Sequence, residues 1–327
     1  MSCPEMVGEL WHRYSLESAD YLDNEPRTRR DSSARALLLL AVLGAACDVE
    51  SLSQSDVDAY TKKRMTGGIR YGLARITGPV RARSAEADLV LLRTMIRWAM
   101  TVRTPTGGRL LAFDPLFGMR RARERNPKRP MASVERFQKT RDAMQALAAE
   151  GQSGMEKARW LKMELALVLA EATGRRPGSI RQLRWEDVDL AKPHIRWRAE
   201  ADKKRKEWVV PIPADLAEQI RSFRRRLGSV GGWMFAAEKN GEQPMDRHLF
   251  DKWLSFAEKR AGVPKLDGGL WHAYRRKWAT ERKHLPLNDA AAAGGWSDVD
   301  TLLKVYQQTD PQTLLAVMSE TRRSLID

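Results

Sequence analysis

Trp-His-Ala-Tyr-Arg-Arg-Lys-Trp-Ala-Thr at residues 271–280, and Gly-Gly-Trp-Ser-Asp-Val-Asp-Thr-Leu-Leu-Lys-Val-Tyr at 294–306, decide how this chain is read. In the first segment His272 and Arg275 stand three residues apart, so a helix presents both on one face. Taken singly, His272 reads as a hydrogen-bonded structural histidine, Trp296 as a core aromatic and Tyr306 as a packing residue. A third segment upstream changes that weighing. Residues 171–180 read Glu-Ala-Thr-Gly-Arg-Arg-Pro-Gly-Ser-Ile. The Thr-Gly ends an apolar helix, and the arginine pair opens the next, which places guanidinium groups at a helix N-terminus. That is a natural anion site.

Between these segments the pattern predicts a short β section. Strands fall at 194–198 and 207–211, and a lysine-rich turn at 201–206 holds Lys203, Lys204 and Lys206. Helices are expected at 133–149, 156–173, 214–227, 247–261, 270–283, 287–293 and 301–306, with a last amphipathic helix at 311–325. The first 115 residues fit four helices, at 9–22, 32–47, 56–65 and 84–102, the third with Ser55 and Asp58 at capping-box spacing. In the fourth, Leu89, Leu92, Ile96 and Ala99 form one apolar ridge and Leu91, Met95 and Trp98 another. Arg93, Thr94, Arg97 and Thr101 form the polar ridge that remains. From 115 to 130 the texture changes to six Arg/Lys and three Pro with no apolar period, the composition of a basic linker. The fold class expected is mainly α, with a small antiparallel β-sheet in the C-terminal domain. The expected domains are 1–115, helical; 116–131, a basic linker; and 132–327, mostly helical around the β section.

The chain has 327 residues, with 57 Lys+Arg against 42 Asp+Glu and a formal net charge of +15. The basic runs are spread along the chain without an acidic block to offset them, which points to a polyanionic partner. The longest apolar run, residues 36–47, is too short for a membrane span, which needs about 20 residues. No basic, apolar leader opens the chain, so a cytoplasmic location is expected. Two cysteines exclude a disulfide framework and a multi-cysteine metal site. No phosphate-binding GxxxxGK[ST] loop, HExxH, GxSxG or DxDxDG motif is present. No metal or cofactor is expected.

The ordered set, Thr-Gly-x-Arg, a hairpin lysine, His-x-x-Arg, Gly-Trp and Tyr, resembles the catalytic domain of the tyrosine recombinases, the phage integrase family. The resemblance covers about residues 130–327; residues 1–115 resemble the family's helical core-binding domain by helix layout. Carried over residue by residue, the catalytic set is Arg176, Lys203, His272, Arg275, Trp296 and Tyr306. Lys204 and Lys206 compete with Lys203, and Arg276 with Arg275. Ser179 stands where the family often has a glutamate. The interval from Trp296 to Tyr306 is one residue longer than the family spacing, which threatens the register of the nucleophile's helix.

The chemistry agrees with those roles. A tyrosine hydroxyl, with a pKa of about 10, is a weak nucleophile that needs a base or a strong positive field. Attack on a phosphodiester builds negative charge on its non-bridging oxygens, which two forked arginines stabilise without a metal. Lys203 would protonate the leaving 5′-oxygen, His272 would assist proton transfer at the Tyr306 side, and Trp296 would pack or donate its indole N–H. The resemblance implies site-specific recombination on double-stranded DNA. It also implies a protein monomeric when free and tetrameric on synapsed duplexes, with room for an accessory directionality factor. Lys62, Lys63, Arg93 and Arg97 are the candidate DNA contacts. Two alternatives stay open: a catalytically silent DNA-binding protein, and a type IB topoisomerase that relaxes DNA without synapsis.

Overall fold

The computed structural model describes residues 6–73, 75–104, 107–120, 129–202, 204–229 and 231–319. The chain divides into two compact units, Met1–Pro127 and Lys128–Asp327.

The first unit is built from α1 (Val7–Glu17), α2 (Ala19–Leu22), α3 (Pro26–Leu43), α4 (Gln54–Thr66) and α5 (Ala82–Ala99), with a small hairpin, β1 (Arg70–Tyr71) and β2 (Arg75–Ile76). Val7, Leu10, Leu39, Tyr60, Leu92 and Met95 belong to its buried core. Both apolar ridges of α5 face this core, with only Trp98 half-buried. Asp88 is buried on α5 and accepts from Tyr60 Oη at 3.0 Å and Arg64 Nε at 2.7 Å, pinning α4 to α5.

Several expectations need correction here. The first helix breaks in two at Ser18, which caps α2 through its hydroxyl. The next starts at Pro26 rather than 32, a residue that suits the first helical turn, and it stops at Gly44, whose φ of +94° cannot continue a helix. The capping box is Ser53 with Asp56, not Ser55 with Asp58; serines alternate at 51, 53 and 55, so the motif fits two registers. The β1–β2 hairpin has only two residues per strand and leaves no alternation to read.

The second unit packs α6 (Val134–Glu150), α7 (Gly154–Thr173), α8 (Pro177–Arg181), α9 (Ala214–Leu227), α10 (Arg247–Arg260) and α11 (Leu270–Glu281) around one core. A three-stranded antiparallel sheet, β3 (Val188–Asp189), β4 (His194–Trp197) and β5 (Trp208–Pro211), lies beside them in the order β3-β4-β5. The register pairs Ile195 with Val210 and Trp197 with Trp208. Ile195 and Trp197 alternate inward, as a half-buried strand requires.

Central α7 is buried throughout from Met163 to Ala170, which explains its apolar run from Leu165 to Ala170. After α11 come α12 (Leu287–Gly294), α13 (Val299–Thr301), a π turn (Leu302–Tyr306) and α14 (Pro311–Ser319). Trp278, Ala290, Ala291, Trp296 and Leu302 form a smaller core there, with Tyr306 packed against it. Of the helix expected at 311–325, residues 320–325 lie outside those described. Among the described residues no helix is long and apolar enough to cross a membrane.

Candidate active site

Two glycine turns build the site. Gly174 ends α7 in the left-handed region, with φ +61°. A Cβ there would meet the Trp278 ring at 2.5 Å, so only glycine lets that indole pack. Gly295 ends α12 the same way, with φ +72°, and a Cβ on it would collide with the Arg175 guanidinium. Both turns aim backbone carbonyls inward. Arg275 Nη1 donates to Gly174 O and Gly294 O, each at 2.5 Å, and Arg176 Nη1 donates to Gly295 O at 2.9 Å. The Thr-Gly and Gly-Gly-Trp motifs are thus the two halves of an arginine cradle.

Arg275 is wholly buried, and its Nε and Nη2 have no hydrogen-bond partner among the described residues. Its guanidinium carbon lies 3.4 Å from the Trp296 ring centroid and 5.0 Å from that of Tyr306. Burial, then the neighbouring Arg176, push its pKa well below the ordinary value, while Tyr306 acts in the opposite direction. A buried cation with open donors and no ion-pair partner among the described residues calls for an anionic ligand. Trp296, 2% exposed, adds another buried and unpartnered donor, its Nε1.

Tyr306 meets Trp296 edge-on at 5.0 Å and lies 6.4 Å from His272, ring centre to ring centre. The structure therefore brings Arg176, His272, Arg275, Trp296 and Tyr306 together. The interval expected to be one residue too long ends in a π turn, closed by Gln307 N donating to Leu302 O at 2.9 Å. A π turn holds one residue more than an α turn, so the tyrosine still reaches its neighbours.

His272 is held neutral. Burial comes first, followed by the cations of Arg275, Arg276, Arg176 and Arg247, and together they lower its pKa to about 4. The unfolded chain binds this proton below about pH 6.5 and the folded one does not. His272 therefore costs stability as pH falls from 6.5 toward 4. An NMR titration should find its imidazole still neutral at pH 5.5; a midpoint at 6 or above would contradict this environment.

Lys203 lies outside the described residues. Its neighbour Asp202 sits 3.6 Å from Arg176 Nη1, so the β4–β5 turn approaches the site. The Ser179 hydroxyl donates to Ala201 O at 3.0 Å and holds that turn to α8. Lys206 Nζ lies 4.1 Å over the Trp208 ring, occupied by the sheet.

Sequence reasoning missed Arg175. It is buried, donates to Ala292 O and Ala293 O at 2.9 and 2.8 Å, and packs on Trp197 and Trp208. The doubled arginine was the only signal, and it did not say which of the two was structural.

In the first unit Lys62 and Lys63 are exposed on α4, and Arg97 is exposed on α5. Arg93 is half-buried and donates to Leu116 O at 3.0 Å. Arg93, Arg97 and Arg120 line a cavity of about 710 Å³. Among the described residues no group of three or more His, Cys, Asp or Glu is arranged to hold a metal ion.

Mostly helical, with its small antiparallel sheets, the fold is that of the tyrosine recombinases. The model of the phage integrase family matches residues 139–313, over half of the chain, and the chain belongs to that family. Among solved structures, a lambda integrase dimer bound to a COC′ core site is similar over 99% of this chain and 81% of its own, with TM-score 0.68 and 17% identity. The Tn1549 transposon integrase with transposon right end DNA is similar over 96% and 98%, with TM-score 0.63 and 13% identity. A lambda integrase tetramer bound to a Holliday junction is similar over 90% and 78%, with TM-score 0.66 and 17% identity. At such identities the likeness speaks for the fold. No curated protein matches the chain by sequence at a significant level.

Proposed function

We propose that the chain is a site-specific DNA recombinase that cleaves and rejoins strands through a 3′-phosphotyrosyl intermediate on Tyr306. The observation that carries this reading is Arg275, buried beside a tyrosine with two donors that have no partner among the described residues. In the proposed step the Tyr306 oxygen attacks the scissile phosphorus while the bond to the 5′-oxygen breaks. Neutral His272 takes the phenolic proton, and Lys203 protonates the leaving 5′-oxygen. Arg176, Arg275 and the Trp296 indole N–H donate to the non-bridging oxygens, where charge develops. The phosphodiester energy is kept in the phosphotyrosine, so a 5′-hydroxyl from another strand reverses the step without ATP.

Lys62, Lys63, Arg93 and Arg97 are proposed to contact phosphates of the duplex, the partner that the net charge of +15 favours. Assembly into a tetramer on synapsed DNA is part of the same proposal, and the lambda integrase tetramer supports it by fold. On α14, Leu314, Leu315, Val317 and Met318 are all exposed, the face of a helix that docks on a neighbouring protomer. Removing residues 311–327 is expected to spare single-site binding and abolish higher-order complexes in gel shifts; unchanged synapsis would remove that role.

The reading as a whole is tested by trapping on nicked suicide duplexes drawn from DNA flanking the gene. A protease-sensitive covalent adduct is the expected product. Tight, site-selective binding without any adduct would favour a DNA-binding module instead, and relaxation by a monomer without sequence preference would favour a type IB topoisomerase.

A further inference from the structure

The backbone behind Tyr306 is tied down in three ways. Thr280, buried on α11, donates its hydroxyl to Tyr306 O at 3.3 Å and accepts from Gln308 N at 3.1 Å. Lys283 Nζ donates to Gln308 O at 3.3 Å and pairs with Asp310. The third tie goes elsewhere: Gln308 Nε2 donates to Arg129 O at 2.8 Å.

Arg129, near the end of the basic segment, is the first described residue after 121–128, and the stretch it opens is bound to α11. Arg276 Nε donates to Pro130 O at 3.0 Å, and Ala132 N donates to Ala273 O at 3.1 Å. Gly268, with φ +85°, makes room for the Arg129 side chain, whose Cδ a Cβ there would meet at 2.6 Å. Residues 129–132 therefore rest on the helix that carries His272 and Arg275, and Gln308 fastens the nucleophile's strand to them.

Thr280 on α11 and Lys283 just past its end tie this segment to its near neighbours. The Gln308 side chain adds an anchor of a different kind, a backbone carbonyl where the chain enters the second unit. We propose that Gln308 is a positioning residue for Tyr306, linking the reacting tyrosine to the end of the basic segment that joins the two units. The inference rests on the reading of Tyr306 as nucleophile and goes beyond it by assigning a residue that touches neither phosphate nor tyrosine ring. Displacement of the joining segment would then be felt at the tyrosine.

The test uses the full chain on a nicked suicide duplex, comparing wild type with Gln308→Met, which keeps length and loses the donor. Single-turnover cleavage at saturating DNA should slow about 2- to 10-fold, the effect of one net hydrogen bond. The half-saturating DNA concentration should stay unchanged. Gln308→Glu, which sets an acceptor against the carbonyl, should slow cleavage at least as much. Wild-type cleavage in Gln308→Met would overturn the proposal. So would a loss matched by weaker DNA binding and a lower unfolding temperature, the pattern of a merely structural residue. A wild-type chain that binds DNA and never forms an adduct would sink the nucleophile reading itself, a separate failure.

Discussion

Tyr306→Phe is expected to bind its DNA site as wild type does and to form no detectable covalent adduct. The substitution removes one oxygen and leaves everything the ring does for the fold. Phenylalanine keeps the edge-on contact with Trp296 at 5.0 Å and the Arg275 guanidinium 5.0 Å away. It also keeps the backbone bond from Thr280 to residue 306 and the π turn closed at Leu302. What is lost is the only atom of that side chain able to attack phosphorus. Gel-shift affinity and denaturing-gel adduct yield, measured on the same duplex, separate the two effects. An adduct that survives in the variant would mean that another residue is the nucleophile.

Arg275→Lys is expected to slow cleavage about 10²- to 10³-fold at saturating DNA, the cost of removing a preorganised donor from a dry site. A lysine retains the charge but not the fork. Arg275 spends Nη1 on Gly174 O and Gly294 O and still has Nε and Nη2 free for an anion, a division of labour that one ammonium cannot repeat. Arg176→Lys should cost less. Its side chain is 27% exposed and already shares its charge with Asp202 at 3.6 Å, so water can partly replace it. Single-turnover rates of the two variants, with unfolding temperatures alongside, check the ranking. Equal losses at both positions would contradict the difference in burial on which the ranking rests.

Much of the site was legible because its residues are constrained by shape as well as chemistry. Gly174 and Gly295 are glycines because an added Cβ would strike Trp278 or Arg175, and their turns present the carbonyls that hold Arg275 and Arg176. Motifs fixed by such collisions can be read without knowing the fold. The helix ridges of α5 were legible for the same reason, since burial on two sides leaves a strong period.

Other features left no such mark. The π turn differs from an α turn only in hydrogen-bond register, so residues 301–306 read as an ordinary helix and the extra residue looked like a displacement of Tyr306. Gln308 and Arg129 are 179 residues apart, and no local pattern brings them together. Arg175 and Arg176 are adjacent in sequence; they part because α8 begins between their two directions, with Arg176 at its cap and Arg175 turned under the carbonyls of α12. The break at Ser18 and the choice between two serine-acid caps are decided by packing.

The most direct measurement is to trap the wild-type chain on a nicked suicide duplex, digest the adduct with protease, and identify by mass spectrometry the residue that carries the nucleotide. A phosphodiester on the Tyr306 oxygen is the predicted result. A nucleotide on any other residue, or an adduct formed equally by Tyr306→Phe, would contradict it.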